Sequence, residues 1–216
     1  MAKITPHKPL LIVMYGYPGS GKSYFARMLA EGMQVAHIQG DRIRNELFAE
    51  PRYDKQENAI VAQLMNYMTE EFLSAGVSVI YDEITARASQ RMAIRDMARK
   101  KQATPLLVWL QIDADSSYAR LLKRDRRRTE DRYSRDYTEE SFARYISAMQ
   151  NPHNEDFIVI SGKHTFPSQK SAVFKRLTEL GLISQSTAQR NVVKPGLVNL
   201  IPSGRVDMSR RNILIR

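Results

Sequence analysis

The chain contains no cysteine and no long apolar run. Without cysteine there are no disulfide bonds, no thiolate metal ligands and no cysteine nucleophile. No stretch approaches the ~18 apolar residues that a membrane-spanning helix needs. The first residues, MAKITPHKP, lack the apolar segment of a secretion signal. Repeats and low-complexity tracts are also missing. We therefore expect a cytosolic protein that does not enter a membrane.

Positive charge is in excess, with a formal net charge of +10 over 216 residues. Residues 186–216 hold six basic residues and one acid, and residues 123–135 hold seven basic residues and three acids. A basic balance suits partners rich in phosphate, and it also arises from arginines that bind a nucleotide. The length predicts one domain with additions. We place a core domain at 1–184 and a basic tail, extended or in short strands, at 185–216.

Five short apolar runs alternate with helical patterns along the core. The runs are PLLIVMY, QVAHI, VSVIYDE, LLVWLQI and FIVI. Between residues 54 and 75 apolar side chains recur at helical spacing, which predicts a helix with one apolar face. This face contains Ile60, Leu64, Met68 and Phe72, with Val61, Met65 and Leu73 beside them. Asp113 or Asp115 is expected to cap the helix before the basic segment. The alternation predicts an α/β fold: a five-stranded parallel sheet with helices on both faces and ligands at the carboxyl ends of its strands.

The stretch GYPGSGKS at residues 16–23 matches G-x-x-x-x-G-K-[ST], a phosphate-binding loop between a strand and a helix. Its glycines let backbone N–H groups turn inward, and the helix N-terminus adds a positive dipole. Lys22 would reach the β- and γ-phosphates, and the Ser23 hydroxyl would hold Mg²⁺. No Asn-Lys-x-Asp guanine motif occurs, which favours ATP. The residues expected to bind ATP here are Gly16, Pro18, Gly19, Ser20, Gly21, Lys22, Ser23 and Tyr24.

A P-loop protein transfers the γ-phosphate of ATP either to water or to a hydroxyl of an acceptor. The acidic pair Asp82 and Glu83, at the end of the third apolar run, bears on this choice. Asp82 ends an apolar run, as does the carboxylate that anchors Mg²⁺ in P-loop proteins. Alternatively, Asp82 caps the next turn. Glu83 beside it is typical of ATP-hydrolysing machines, in which the glutamate orients the attacking water. Taken alone, this pair slightly favours hydrolysis.

Asp41, after the second run, favours a hydroxyl acceptor instead. It lies where an acceptor enters a small P-loop kinase, and transfer to an alcohol needs a carboxylate that accepts the hydroxyl proton. Arg44, three residues later, could bind a phosphate or carboxylate on the acceptor. The alternative is that Asp41 caps the helix DRIRNELF and that Arg44 is solvated.

The basic segment predicts an arginine-rich lid over about residues 123–137. Arg124 and Arg128 are spaced i, i+4 and would share one helix face. An arginine directed at the transferring phosphoryl group stabilises its charge. Alternatively, the segment is a solvated charged helix. With the loop and Asp41, the lid favours a kinase, in which Asp41 and Lys22 are catalytic and lid arginines such as Arg124 close over ATP.

These motifs resemble the P-loop kinase group, with AAA-type ATP binding, that includes phage-type polynucleotide 5′-kinases and zeta-toxin-like kinases. The resemblance covers about residues 9–180 and is carried by GYPGSGKS, DRIR, VIYDE and LLKRDRRR. It implies that Asp41 is the general base, that Arg44 engages a phosphate on the acceptor and that Arg128 stabilises the transferring group. It also implies that the NPHNEDFIVISGKHTF stretch partly encloses the base of ATP.

The resemblance favours the 5′-hydroxyl of a nucleic acid or nucleotide as acceptor, with a sugar or nucleotide sugar as the alternative. Polynucleotide kinases tend to carry Asp-Thr-Asn after the third strand, whereas this chain has Asp-Glu-Ile-Thr at 82–85. We assign Thr85 to the acceptor side, and Ser23 and Asp82 to Mg²⁺. An ATPase or an ATP-gated nucleic-acid-binding module remains a third hypothesis. The basic tail could follow a nucleic-acid backbone, but it is poor in aromatic residues for base stacking.

Overall fold

The computed structural model describes residues 3–83, 85–128 and 131–184. One sheet contains the strands β1 (Leu10–Tyr15), β2 (Val35–Gln39), β3 (Ser78–Asp82), β4 (Thr104–Gln111) and β5 (Phe157–Ser161). The helices are α1 (Lys22–Gly32), α2 (Gly40–Leu47), α3 (Lys55–Ser74), α4 (Ala88–Lys100), α5 (Ala114–Leu122), α6 (Glu139–Ala148) and α7 (Phe166–Glu179). All strand pairs are parallel, in the order β2-β3-β1-β4-β5. The predicted five-stranded parallel sheet is confirmed.

The central strand β1 is buried on both faces, which explains its unbroken apolar sequence. Its residues alternate between two hydrophobic clusters. Leu10, Ile12 and Met14 pack with α1 and α7 on one face of the sheet. Leu11, Val13 and Tyr15 pack with α3 and α4 on the other. The sheet is thus covered by helices on both sides, as predicted.

The strand order brings the carboxyl ends of β1, β2 and β3 side by side. Gln39 at the end of β2 is in register with Asp82 at the end of β3. β1, which precedes the phosphate-binding loop, pairs with β3 on one side and β4 on the other. In open parallel sheets ligands bind outside the carboxyl ends of neighbouring strands. The fold therefore places the loop, the start of α2 and the end of β3 around one crevice.

The predicted helix with one apolar face is confirmed as α3. The buried residues of this helix are Glu57, Val61, Met65, Thr69 and Leu73. Of the other residues expected on the face, Ile60 and Phe72 are 41% and 36% exposed. Two polar side chains share the buried face: Thr69 donates its hydroxyl hydrogen bond to the Met65 carbonyl, and Glu57 accepts backbone hydrogen bonds.

The prediction of a helix through the basic segment is also wrong. α5 begins after Asp113, whose side chain accepts a hydrogen bond from the Ser116 N–H, and it ends at Leu122. Asp125 then accepts hydrogen bonds from the backbone and side chain of Arg127. Such local side-chain bonds offer the backbone an alternative to the helix. Arg124 and Arg128 therefore do not share a helix face, although both belong to the segment predicted as a lid.

Within the described part of the chain, no helix is long and apolar enough to cross a membrane. The predicted basic tail at 185–216 lies outside the described residues.

Candidate active site

A cavity of about 380 Å³ opens at the carboxyl ends of the strands. The phosphate-binding loop, the start of α2, the end of β3, the lid segment and the β5–α7 connection all line it. Of the predicted site residues, the cavity brings together Pro18, Gly19, Ser20, Gly21, Lys22, Ser23, Tyr24, Asp41, Asp82 and Arg124. Gly16, Arg44, Thr85 and Arg128 are not in its lining.

The phosphate-binding loop is held from behind by α5. The Ser117 hydroxyl, fully buried, donates a 2.7 Å hydrogen bond to the Pro18 carbonyl. Gly19 has φ of 86°, and a Cβ there would collide with the Ser117 carbonyl oxygen. Only glycine allows both this backbone conformation and this close approach. The loop is thus fixed in shape by α5, a contact that the motif alone does not indicate.

Unsatisfied donors around the loop fit the phosphates of a nucleotide. α1 starts without a side-chain cap on its N-terminal amides, which leaves N–H groups for an anion. The Ser20 hydroxyl is buried and has no hydrogen-bond partner among the described residues. Lys22 Nζ donates to the carbonyls of Gly16 (2.9 Å) and Tyr17 (2.8 Å), and burial lowers the pKa of Lys22 to about 8.

Asp82, the residue expected to anchor Mg²⁺, lines the cavity together with Ser23. Its side chain is 3% exposed, and one carboxylate oxygen lies 3.1 Å from His37 Nε2. No cluster of three or more His, Asp or Glu side chains suited to a metal occurs among residues 3–83, 85–128 and 131–184. The roles of Ser23 and Asp82 as ligands of Mg²⁺, and the alternative that Asp82 caps the next turn, stay predictions.

Asp41 lies in the first turn of α2 and lines the same cavity as Lys22 and Asp82. The position before the helix is Gln39, so Asp41 is not the cap that the alternative reading required. Burial, followed by the negative charge of Asp82, raises the pKa of Asp41 to about 6. The charges of Arg44, Arg124 and Lys22 act in the opposite direction. The pKa of Asp41 is thus closer to neutral pH than that of an ordinary aspartate.

Glu83 also lines the cavity, and it depends on a neighbouring glycine. A Cβ on Gly40 would collide with the Glu83 carboxylate. Gly40 thus leaves the space in which Glu83 lies against the start of α2. The cavity therefore contains both acidic side chains singled out in the sequence, Asp41 and Glu83. Their roles, Asp41 in transfer to a hydroxyl and Glu83 in hydrolysis, stay predictions.

Arg44 is buried rather than solvated, so that alternative is wrong. Only 2% of it is exposed, because its guanidinium faces the Glu57 carboxylate (Nη1 to Oε2, 3.6 Å) and the Tyr53 ring (4.6 Å). A role of Arg44 as a direct acceptor ligand stays a prediction. Arg44 lies against the Tyr53 ring and is not among the residues that line the cavity.

The lid segment contributes Arg124 to the cavity, where its charge reaches Lys22 and Asp41. Nε of Arg124 also lies 3.8 Å from Oδ1 of Asp131. Arg128 is exposed and outside the lining. Thr85 is buried, and its hydroxyl has no hydrogen-bond partner in the described part of the chain. The catalytic role of Arg128 and the acceptor role of Thr85 stay predictions.

Several lining residues were missed from the sequence. Arg120 donates a 2.9 Å hydrogen bond to the Gly162 carbonyl, and with His164, Phe166 and Gln169 it forms the wall on the β5–α7 side. The resemblance had pointed to this stretch, but only as a partial enclosure of the base. Tyr137 lines the cavity from the end of the lid segment. No local pattern distinguishes these side chains from other polar loop residues.

A buried ion pair fixes the connection after β3. Arg91 and Glu155 are each 1% exposed, with Nη2 and Oε1 2.8 Å apart. Arg91 also donates to the carbonyls of Thr85 and Ala86 and lies 4.7 Å above the Tyr15 ring. This pair anchors the Thr85 region to the segment before β5.

Replacing Glu155 with alanine should lower the free energy of unfolding by about 3–5 kcal/mol, because the Arg91 charge would stay buried without a partner. Urea unfolding monitored by circular dichroism would measure this loss. The control is Glu140→Ala, which removes the exposed partner of Arg144 and should leave the midpoint unchanged. An unchanged midpoint for Glu155→Ala would contradict the anchoring role.

A curated protein that is similar to part of this chain is sulfate adenylyltransferase from Gibberella zeae (strain ATCC MYA-4620 / CBS 123657 / FGSC 9075 / NRRL 31084 / PH-1). It is 29% identical over 129 residues, which is 54% of this chain and 22% of that protein. The chain therefore spans less than a quarter of the length of this relative.

Solved structures share the fold. They include a gluconokinase from Sinorhizobium meliloti 1021 (TM-score 0.59, 17% identity, covering 80% of this chain and 93% of that one). Chaetomium thermophilum Kti12 in complex with ADP-AlF3 has a TM-score of 0.60 and 15% identity, and the match covers 78% of this chain and 97% of that one. Mycobacterium tuberculosis APS kinase CysC in complex with AMPPNP and APS has a TM-score of 0.59 and 19% identity, and the match covers 79% of this chain and 98% of that one.

The likeness to P-loop kinases is confirmed at the level of fold, whereas the narrower likeness to polynucleotide 5′-kinases and zeta-toxin-like kinases stays a prediction. A family model described as an AAA domain matches residues 11–152. Because this match covers well over half of the chain, the protein belongs to that AAA domain family.

Proposed function

We propose that the protein is a kinase that transfers the γ-phosphoryl group of ATP to a hydroxyl of an acceptor. The observation that carries the proposal is that Asp41 lines the same cavity as Lys22 and Ser23 of the phosphate-binding loop. A carboxylate with a pKa of about 6 is deprotonated at neutral pH and is a stronger base than an ordinary aspartate. The names of the structural relatives, a gluconokinase and an APS kinase, agree with this reaction.

In the proposed reaction the hydroxyl oxygen of the acceptor forms a bond to the γ-phosphorus as the bond to the β-phosphate oxygen breaks. Asp41 takes the hydroxyl proton, and ADP leaves. The loop amides and Lys22 bind the phosphates, and Arg124 adds positive charge from the lid. Ser23 and Asp82 would hold Mg²⁺, which supplies further charge neutralisation on the phosphates.

The acceptor class is a finer proposal. The sequence favours a 5′-hydroxyl of a nucleic acid or nucleotide, with a sugar or nucleotide sugar as the alternative. The names of the relatives, including the gluconokinase, support a small molecule. A cytosolic location is likewise a prediction from the sequence.

Hydrolysis is the second candidate, because Glu83 lies in the cavity beside Asp82. A glutamate in this place could orient a water towards the γ-phosphate. The two candidates differ in which carboxylate is essential and in whether turnover needs an acceptor.

The test follows γ-labelled phosphate from ATP and Mg²⁺ with a 5′-hydroxyl oligonucleotide, a panel of nucleosides and sugars, or no acceptor. We expect label on an acceptor and little free phosphate in its absence. We also expect Glu83→Gln to retain most of the transfer, because Asp41 remains. Free phosphate at the same rate in every reaction, abolished by Glu83→Gln, would instead identify an ATPase.

A further inference from the structure

Tyr53 lies between two arginines at the entrance to α3. The guanidinium carbons of Arg44 and Arg135 lie 4.6 Å and 4.5 Å from the centre of its ring. Arg135 also lies 4.9 Å from the centre of the Tyr137 ring. Arg135, from the end of the lid segment, is thus held against two aromatic rings contributed by different parts of the chain.

The backbone at Tyr53 has an uncommon conformation. Tyr53 has φ of 57°, in the left-handed region that a bulky residue rarely adopts. The N–H groups of Arg52 and Tyr53 donate hydrogen bonds of 2.9 and 2.8 Å to the Glu57 carboxylate, which fixes the turn. Strained residues of this kind cluster at ligand-binding sites.

The charge of Arg135 has no anionic partner in the described part of the chain. No carboxylate there lies within ion-pair distance of it, and no described residue accepts a hydrogen bond from it. The adjacent acid, Asp136, is engaged by Arg126 at 2.7 Å and is largely exposed. Arg44, on the other side of Tyr53, faces Glu57. A guanidinium that stacks on aromatic rings keeps its N–H edge available for paired hydrogen bonds to two oxygens of a carboxylate, phosphate or sulfate.

Arg135 is not in the lining of the cavity, but it contacts a residue that is. Tyr137, whose ring lies against Arg135, lines the cavity together with Asp41. Burial, and to a lesser extent the negative charge of Asp41, raises the pKa values of both Tyr53 and Tyr137, so both rings lie within electrostatic range of Asp41. An acceptor whose hydroxyl lies at Asp41 and that extends past Tyr137 would therefore reach Arg135.

We propose that Arg135, held against Tyr53 and Tyr137, binds an anionic group of the acceptor. The acceptor is then a small alcohol that carries a phosphate, sulfate or carboxylate, and Arg135 determines this specificity. The inference rests on the proposed kinase function, since it names the substrate class for that reaction. Arg44 contributes from behind the Tyr53 ring, by holding it in place.

The test compares acceptor pairs that differ in one anionic group, with γ-labelled ATP: adenosine 3′-phosphate against adenosine, and gluconate against glucose. We expect the wild-type protein to label the anionic member of at least one pair preferentially. Arg135→Gln should lower kcat/KM for that member by about 10- to 100-fold, while the KM for ATP and the rate with the neutral member stay unchanged. Arg135→Lys, which keeps the charge but loses the planar fork, should recover only part of the loss.

The matched control is Arg132→Gln, in the same segment, where the guanidinium lies near the Tyr133 ring. It should behave like the wild type. Equal losses for both members of a pair on Arg135→Gln, a raised KM for ATP or a preference for neutral acceptors would each overturn the inference while leaving the kinase proposal intact. A 5′-hydroxyl oligonucleotide labelled faster than any small acceptor would also contradict it.

A measurement of anion binding tests the role of Arg135 independently of any kinase activity. With the nucleotide site filled by Mg²⁺ and the non-hydrolysable analogue AMPPNP, sulfate is titrated and the melting temperature is followed. We expect sulfate to stabilise the wild-type protein and Arg132→Gln, but not Arg135→Gln. Equal stabilisation of all three would overturn the anion site. If no acceptor is labelled in any reaction, the kinase proposal fails, and this titration still decides whether Arg135 binds an anion.

Discussion

Asp41→Asn should lower phosphoryl transfer by about 10²- to 10⁴-fold, the effect of losing a general base. Asparagine has nearly the same shape as aspartate, but its amide cannot accept the proton of the acceptor hydroxyl. Binding of ATP should change little, because the loop amides, Lys22 and Ser23 remain. Transfer of label to an acceptor and binding of Mg²⁺ with AMPPNP, measured on the same preparation, would separate the two effects.

The loss of activity should not result from unfolding. The pKa of Asp41 is raised in the folded state, so the contribution of this residue to stability is lost as the pH rises through about 6. At pH 8 the buried Asp41 carboxylate is charged, which is unfavourable, and a neutral asparagine removes this cost. Asp41→Asn should therefore be at least as stable as the wild type at pH 8, and Asp96→Asn, on the exposed face of α4, serves as the control. Retained transfer in Asp41→Asn would refute the proposed role.

The pH profile gives an independent check on Asp41. Below a pH of about 6 its carboxyl is protonated and cannot act as a base, so transfer should fall by about tenfold per pH unit. Rates at sub-saturating concentrations of both substrates report on the free enzyme. The residual activity of Asp41→Asn should lack this acid limb. A wild-type rate that stays constant down to pH 5 would contradict the assignment.

The sequence predicted the parts of the fold that depend on local patterns. Strand positions follow from short apolar runs, and Asp113, one of the two residues expected to cap α5, does so by accepting a hydrogen bond from the Ser116 N–H. The phosphate-binding loop was recognisable because its chemistry requires fixed spacing over eight residues. Asp41 was found for a similar reason, since parallel strands bring their carboxyl ends to one edge.

The rest depends on contacts between distant segments, which leave no local signal. His37 holds Asp82 from the neighbouring strand, and Ser117 holds the loop from a helix 99 residues away. Tyr53 and Arg135 meet only because the lid segment folds over the start of α3. In the basic segment the many arginines gave several equivalent alignments. Helical spacing was the wrong basis for choosing among them, because α5 ends at Leu122, before Arg124 and Arg128.

Lys22→Met should lower transfer by about 10²- to 10³-fold, comparable to the loss of one charge-stabilising donor in a water-excluded site. Lys22 Nζ donates hydrogen bonds to the carbonyls of Gly16 and Tyr17, so its ammonium group is held against the phosphate-binding loop. Binding of ATP would exchange these neutral partners for phosphate oxygens. The matched control is Lys100→Met, at the exposed end of α4, which should keep full activity.

The pH dependence of nucleotide binding distinguishes this role of Lys22 from a structural one. Because burial lowers the pKa of Lys22 to about 8 in the free protein, the ammonium loses its proton above that pH. A bound phosphate favours the charged form and raises the pKa again. The wild-type affinity for AMPPNP, measured by calorimetry, should therefore fall as the pH rises above about 8, with proton uptake on binding. In Lys22→Met both the dependence and the uptake should be absent, and if they persisted, another group would carry the charge that the phosphates need.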